Sequence, residues 1–88
     1  MLDAVYTNRF KKDLRLVQKR GLKDEKLRNI ITLLCEGKEL PKQCRPHLLS
    51  GVWDDFWECH IEPDWLLIYR FTEDDLELIR TGTHSDLF

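Results

Sequence analysis

The sequence predicts an α+β domain with the order β-α-α-β-β-β, and three observations predict it. Apolar residues recur with a period near 3.6 in two stretches of the first 37 residues. After Gly51 the period changes to 2. Two turn segments, Glu62-Pro63-Asp64 and Thr72–Asp75, then cut the second half into three pieces of strand length. Ala4-Val5-Tyr6 reads as a short first strand. Thr7 or Asn8 can cap a helix with a side-chain oxygen. Phe10, Leu14 and Val17 share one face of that helix, and Gly21 stops it. Asp24 opens a second helix, with Leu27, Ile30, Ile31 and Leu34 at the i, i+3, i+4, i+7 spacing, and Gly37 ends it. Two antiparallel helices joined by a short turn are expected.

Residues 38–51, with Pro41, Pro46 and Gly51, form a connection. Trp53, Trp57, Cys59 and Ile61 then alternate with Asp54, Phe56, Glu58 and His60, so Val52–Ile61 is expected as a strand. Trp65–Phe71 is almost wholly apolar, which suits a central strand covered on both faces. Leu76–Thr81 is a third strand, with Leu76, Leu78 and Arg80 on one face. The last three strands should form an antiparallel meander, with both helices packed on one face. A short tail, Gly82–Phe88, follows.

Eighty-eight residues make a single domain, 1–88. A chain of this size buries only about 60–65% of the surface its unfolded form exposes, so its stability margin is thin. A 42% hydrophobic content with only 4 Gly and 3 Pro excludes a disordered or low-complexity chain. No apolar run approaches the ~20 residues of a membrane span. Met1-Leu2-Asp3-Ala4 lacks a signal-peptide pattern, so the expected location is the cytoplasm. Three cysteines, an odd count, agree with a reducing compartment. The net charge of −2 conceals an asymmetry. Residues 1–47 hold 12 Lys and Arg against 6 acidic residues, whereas residues 48–88 hold 2 against 10. Such a balance opposes tight, non-specific binding to nucleic acid, while a basic helical face could still meet phosphate.

The residues able to carry chemistry are His47, His60, Asp64, Arg80 and His84. His60 ends one strand and Asp64 opens the next, so a tight turn brings them close. Arg80 returns toward the same end of the sheet, and His84 follows four residues later. Cleavage of RNA by its own 2′-hydroxyl needs a base, positive charge on the pentavalent phosphate and an acid for the leaving 5′-oxygen. Histidine serves as base or acid, and arginine offers a permanent forked charge for phosphate. Trp65 or Phe88 could stack a splayed base, although Trp65 could equally be core. No metal or cofactor is expected. Cys44-Arg45-Pro46-His47 holds a C-x2-H pair and Cys59-His60 lies further on, but no second pair has zinc spacing. The cysteines read better as small buried hydrophobes.

Three segments carry a resemblance to a known family. His47-Leu48-Leu49-Ser50-Gly51-Val52-Trp53 resembles H-x-L-x-G-x-W. His60-Ile61-Glu62-Pro63-Asp64-Trp65-Leu66-Leu67-Ile68-Tyr69 resembles H-x-x-P-D-W-x-L-I-Y. Arg80-Thr81-Gly82-Thr83-His84-Ser85-Asp86-Leu87-Phe88 resembles R-T-G-T-H-x-x-L-F. All three resemble motifs of the YafQ family of bacterial type II toxins, within the RelE/ParE superfamily. The resemblance implies a metal-independent endoribonuclease that cuts messenger RNA in the ribosomal A site and is held inactive by a DinJ-like antitoxin. It places functional positions on His47, His60, Asp64, Trp65, Arg80, His84 and Phe88. In the roles expected here, His84 is the acid, His60 or Asp64 the base, and Arg80 the group that stabilises the phosphorane. His47 positions substrate, and Trp65 and Phe88 shape the base pocket. The alternative is a ParE-like toxin that inhibits a protein target and cleaves nothing; the shared fold does not separate the two.

Overall fold

The computed structural model describes residues 1–51 and 55–88. The chain begins with strand β1 (Asp3–Tyr6) and helices α1 (Asn8–Lys19) and α2 (Asp24–Cys35). A 3-10 turn at Lys42–Cys44 leads to a two-residue strand, β2 (His47–Leu48). The meander follows as β3 (Trp57–Glu62), β4 (Trp65–Phe71) and β5 (Asp75–Gly82), and a single helical turn, α3 (His84–Leu87), closes the chain. Thr7 caps α1, its Oγ1 accepting from the Phe10 amide at 3.2 Å. The same hydroxyl donates to the Leu78 carbonyl of β5 at 2.8 Å, so one side chain both starts the helix and ties it to the sheet.

The five strands lie in the order β1-β5-β4-β3-β2. The pairs from β2 through β5 are antiparallel, as the meander requires. Helices α1 and α2 cover one face. Phe10 and Val17 of α1 and Leu27, Ile30, Ile31 and Leu34 of α2 pack there with Cys59, Trp65, Leu67, Tyr69, Leu76 and Leu78. The opposite face carries a smaller cluster, Leu66, Ile68 and Leu87, flanked by Leu49, Phe56 and Ile79. Because β4 lies between β5 and β3, its side chains at 65–69 are buried on both faces, the outcome its unbroken apolar run predicts. Cys35, Cys44 and Cys59 are free thiols and buried, and burial pushes all three up from the ordinary thiol range. No helix among the described residues is long and apolar enough to cross a membrane.

Four features differ from the expectation. β1 joins the sheet beside β5 in parallel register, Ala4 opposite Leu76; the intervening helices supply the long crossover that parallel pairing needs. β2 arises inside the expected connection, with His47 opposite Glu58. The strand expected from Val52 begins at Trp57, since Asp55 adopts a left-handed φ of 72°, which breaks extended backbone; Val52, Trp53 and Asp54 lie outside the described residues. Finally, Arg80 does not share the face of Leu76 and Leu78. Tyr69 opposes Leu78 but Ile68 opposes Arg80, so Ile79 is the extra residue of a bulge and the alternation is reset.

Candidate active site

That bulge gathers the site. His47, Glu58, Ile68 and Arg80 oppose one another in turn across β2, β3, β4 and β5. His60, Leu66 and Gly82 form the next row. Residues opposite each other on adjacent strands share a face. Ile68 and Leu66 belong to the cluster away from the helices, so His47, Glu58, His60 and Arg80 register on that open face.

His84 reaches the same edge from α3. Its ring centroid stands 5.7 Å from that of His60. Asp64, in the two-residue turn between β3 and β4, holds it. Asp64 Oδ1 accepts from the His84 backbone amide at 3.0 Å and meets the ring Nδ1 at 2.6 Å. A carboxylate only accepts, so Nδ1 carries the proton toward Asp64, and Nε2 is the ring nitrogen outside that contact. The His84 amide first, and its ring second, draw the Asp64 carboxyl below its ordinary range. His60 Nδ1 is buried and meets no hydrogen-bond partner among the described residues, so nothing on that side selects its tautomer. Of the expected site residues only His60 borders the groove of about 760 Å³ that opens between α2 and β3 past Cys44 and Arg45. The other expected site residues do not line it.

The turn carrying His84 is over-determined. Thr83 and Asp86 form a reciprocal capping box at the start of α3. Asp86 also receives Arg20, the residue that caps the end of α1, through two contacts, 2.5 and 3.1 Å. Arg20 first, then the Thr83 amide, holds the Asp86 carboxyl far below the usual range. Gly82 makes the close approach possible, since a Cβ there would lie 2.8 Å from Asp86 Oδ2. Phe88 ends the chain one residue beyond α3 and is 61% exposed.

His47 lies on β2, with Nδ1 3.0 Å from the Arg45 carbonyl and Nε2 3.4 Å from Glu58 Oε1. Both ring nitrogens face oxygen acceptors, and only the doubly protonated ring donates to both. Glu58, a buried carboxylate, had not been singled out from the sequence. Its place in the alternation with His60 was the available signal. Arg80 is largely buried and its guanidinium is bound to Asp13 of α1. No local pattern links those two residues.

Trp65 lies in the helix-side core. It is 1% exposed and donates from Nε1 to Thr81 Oγ1 at 2.9 Å. Of its two readings, base stacking and core, the core reading fits this burial. Among the described residues no group of three or more His, Cys, Asp or Glu is placed to hold a metal ion.

The structure is thus a five-stranded mixed sheet with α1 and α2 on one face and a histidine-carboxylate-arginine group registered on the other. Residues 2–88 match the family described as the bacterial toxin of a type II toxin-antitoxin system, YafQ. The mRNA interferase toxin YafQ of Escherichia coli K12 is 41% identical over 87 residues, covering 98% of this chain and 95% of that protein. A copper-bound mutant toxin from Helicobacter pylori superposes with a TM-score of 0.96 at 39% identity, covering all of both chains. The toxin in the E. coli DinJ-YafQ toxin-antitoxin complex does so at 0.89 and 41%, covering 99% of this chain and 97% of that one. The chain belongs to the YafQ family of type II toxins.

Proposed function

We propose that this toxin is an mRNA interferase that cuts messenger on the ribosome, in the A site, by metal-independent acid-base catalysis. The observation that carries the reading is the pairing of His60 with an Asp64-held His84, rings 5.7 Å apart, at the edge where Arg80 registers. With Asp64 committed to His84 and its carboxyl lowered, it is a weak proton acceptor; the base is His60 and Asp64 orients. His60 takes the 2′-hydroxyl proton, and the 2′-oxygen bonds to the adjacent phosphorus. Arg80 stabilises the charge on the non-bridging oxygens, and His47, further along the same row of the sheet, positions substrate. The bond from phosphorus to the 5′-oxygen breaks, and His84 Nε2 protonates that oxygen. The products are a 2′,3′-cyclic phosphate and a 5′-hydroxyl. Phe88, exposed at the chain end, stacks the base of the cut codon.

A DinJ-like antitoxin is the partner that keeps the toxin inactive, and the cytoplasm, where ribosomes translate, is its place of action. The segment bearing the site holds only Arg70 and Arg80 against ten acidic residues. A free RNA strand is therefore bound weakly. The exposed cations of α1, Arg9, Lys11, Lys12, Arg15 and Lys19, dock on ribosomal RNA and supply the positioning. The test is to incubate the toxin with translating ribosomes or with naked messenger at matched salt, and to map new ends. Cleavage confined largely to ribosome-bound messenger is expected. Equal rates on both substrates would overturn the docking, and arrest of growth with no new ends would place the toxin among the non-nucleolytic ones.

A further inference from the structure

Arg80 does not stand free at the site. Asp13, in the middle of α1, takes its Nε through Oδ2 at 2.6 Å and its Nη2 through Oδ1 at 3.3 Å. Oδ2 also accepts from the Thr81 amide at 3.2 Å. Both side chains are nearly enclosed, 15% and 11% exposed. This grip occupies the Nε side of the guanidinium. It leaves the edge between Nη1 and Nη2, which can fork onto two phosphate oxygens, turned away from Asp13. Arg9 comes within 3.7 Å of Asp13 Oδ1 from the solvent side, so the carboxylate sits between two cations.

We infer that Asp13 is a positioning residue for Arg80: it locks the guanidinium with its outer edge presented to the scissile phosphate. The physical gain is entropic. An arginine is rich in rotamers, and a side chain already held loses less freedom on meeting the transition state. The register makes the lock necessary. Arg80 enters the face opposite Ile68, away from the core that α1 and α2 seal. Asp13 reaches it from α1, beside the stretch of β5 that β1 leaves uncovered, since β1 pairs only with Asp75–Leu78. The C-cap of the same helix, Arg20, grips the His84 turn through Asp86, two turns further on. One rigid element thus holds both the phosphate-binding group and the mount of the proton donor.

The inference rests on the reading of Arg80 as the group that binds the transferring phosphate, and a double-mutant cycle separates the two. The variants are Asp13→Asn, Arg80→Ala and the pair, each assayed by single-turnover cleavage on messenger-programmed ribosomes below its melting transition. Asp13→Asn keeps an oxygen for the Thr81 amide but presents an NH2 group where Nη2 needs an acceptor. Its saturating rate is expected to fall roughly ten- to a hundred-fold, with little change in the toxin concentration giving half the maximal rate. In the Arg80→Ala background the same substitution is expected to change nothing. If Asp13→Asn does not fold, Asp13→Glu, which keeps the charge but lengthens the arm, takes its place in the cycle. A wild-type or faster rate for the Asp13 variant beside a crippled Arg80→Ala overturns the positioning role alone, as does a loss that multiplies in the double variant. A wild-type rate for Arg80→Ala overturns the assignment of Arg80 and this inference with it.

Discussion

The two faces of strand β4 divide the labour of the molecule. Trp65, Leu67 and Tyr69 point into a core sealed by α1 and α2, whereas Leu66 and Ile68 lie under a small cluster on the open side. On the sealed side the polar demands of the tryptophan and threonine are met internally, by one indole-hydroxyl bond and one bond to the Leu66 carbonyl. On the open side the residues in register with the apolar cluster are His47, Glu58, His60 and Arg80; His47 faces Glu58, and Arg80 is held by Asp13. A sheet of this size needs only one thick core to fold. The other face is then available for groups that must meet a ligand, and the sheet supplies the rigid mount.

Substitutions on the two faces should therefore fail in different ways. The largest effect on activity is expected from His84→Ala, with a fall in the cleavage rate of about 10²–10⁴-fold. The melting transition should stay close to that of the parent protein, because His84 is half exposed and α3 keeps its capping box. A variant that melts normally and cuts normally would remove His84 from the chemistry. The sealed face should show the reverse. Phe10 is fully enclosed, and Phe10→Ala should cost about 3–5 kcal/mol of stability by removing a ring and leaving a cavity. Measured by denaturant titration, a loss below about 1 kcal/mol would mean that the core relaxes to fill the space. In a chain with so thin a margin the full loss also removes activity, but through unfolding, so below the transition the surviving folded fraction should cut at the normal rate.

The smallest expected effect sharpens the division most. Trp65→Phe keeps an aromatic ring in the core and deletes the bond to Thr81 Oγ1, while Thr81 keeps its bond to Leu66. About 1–2 kcal/mol of stability should be lost, with ribosomal cleavage unchanged. A specific loss of activity at unchanged stability would return Trp65 to the base pocket and break the separation of the two faces.

The sequence by itself determined the elements whose causes are local. The 3.6 period of Phe10, Leu14 and Val17, the Thr7 cap, the Glu62-Pro63-Asp64 turn and the apolar run of β4 are each set by residues within a few positions of one another. A backbone with those preferences has few alternatives. The closeness of His60 and Asp64 to one edge, and the return of Arg80 and His84 toward it, were legible for the same reason, because short turns dictate where a meander's ends meet. The tertiary structure alone decided the rest. Only packing could set β1 parallel beside β5, from the far end of the chain. Only the bulge at Ile79 moved Arg80 off the face that simple alternation assigned to it. Only the tertiary packing buries Trp65 in the helix-side core. The contacts of Arg80 with Asp13 and of Arg20 with Asp86 span 67 and 66 residues. A pairing over such a separation has no local propensity to announce it. It forms because the enclosed core lays α1 against β5, and that core is a property of the whole chain.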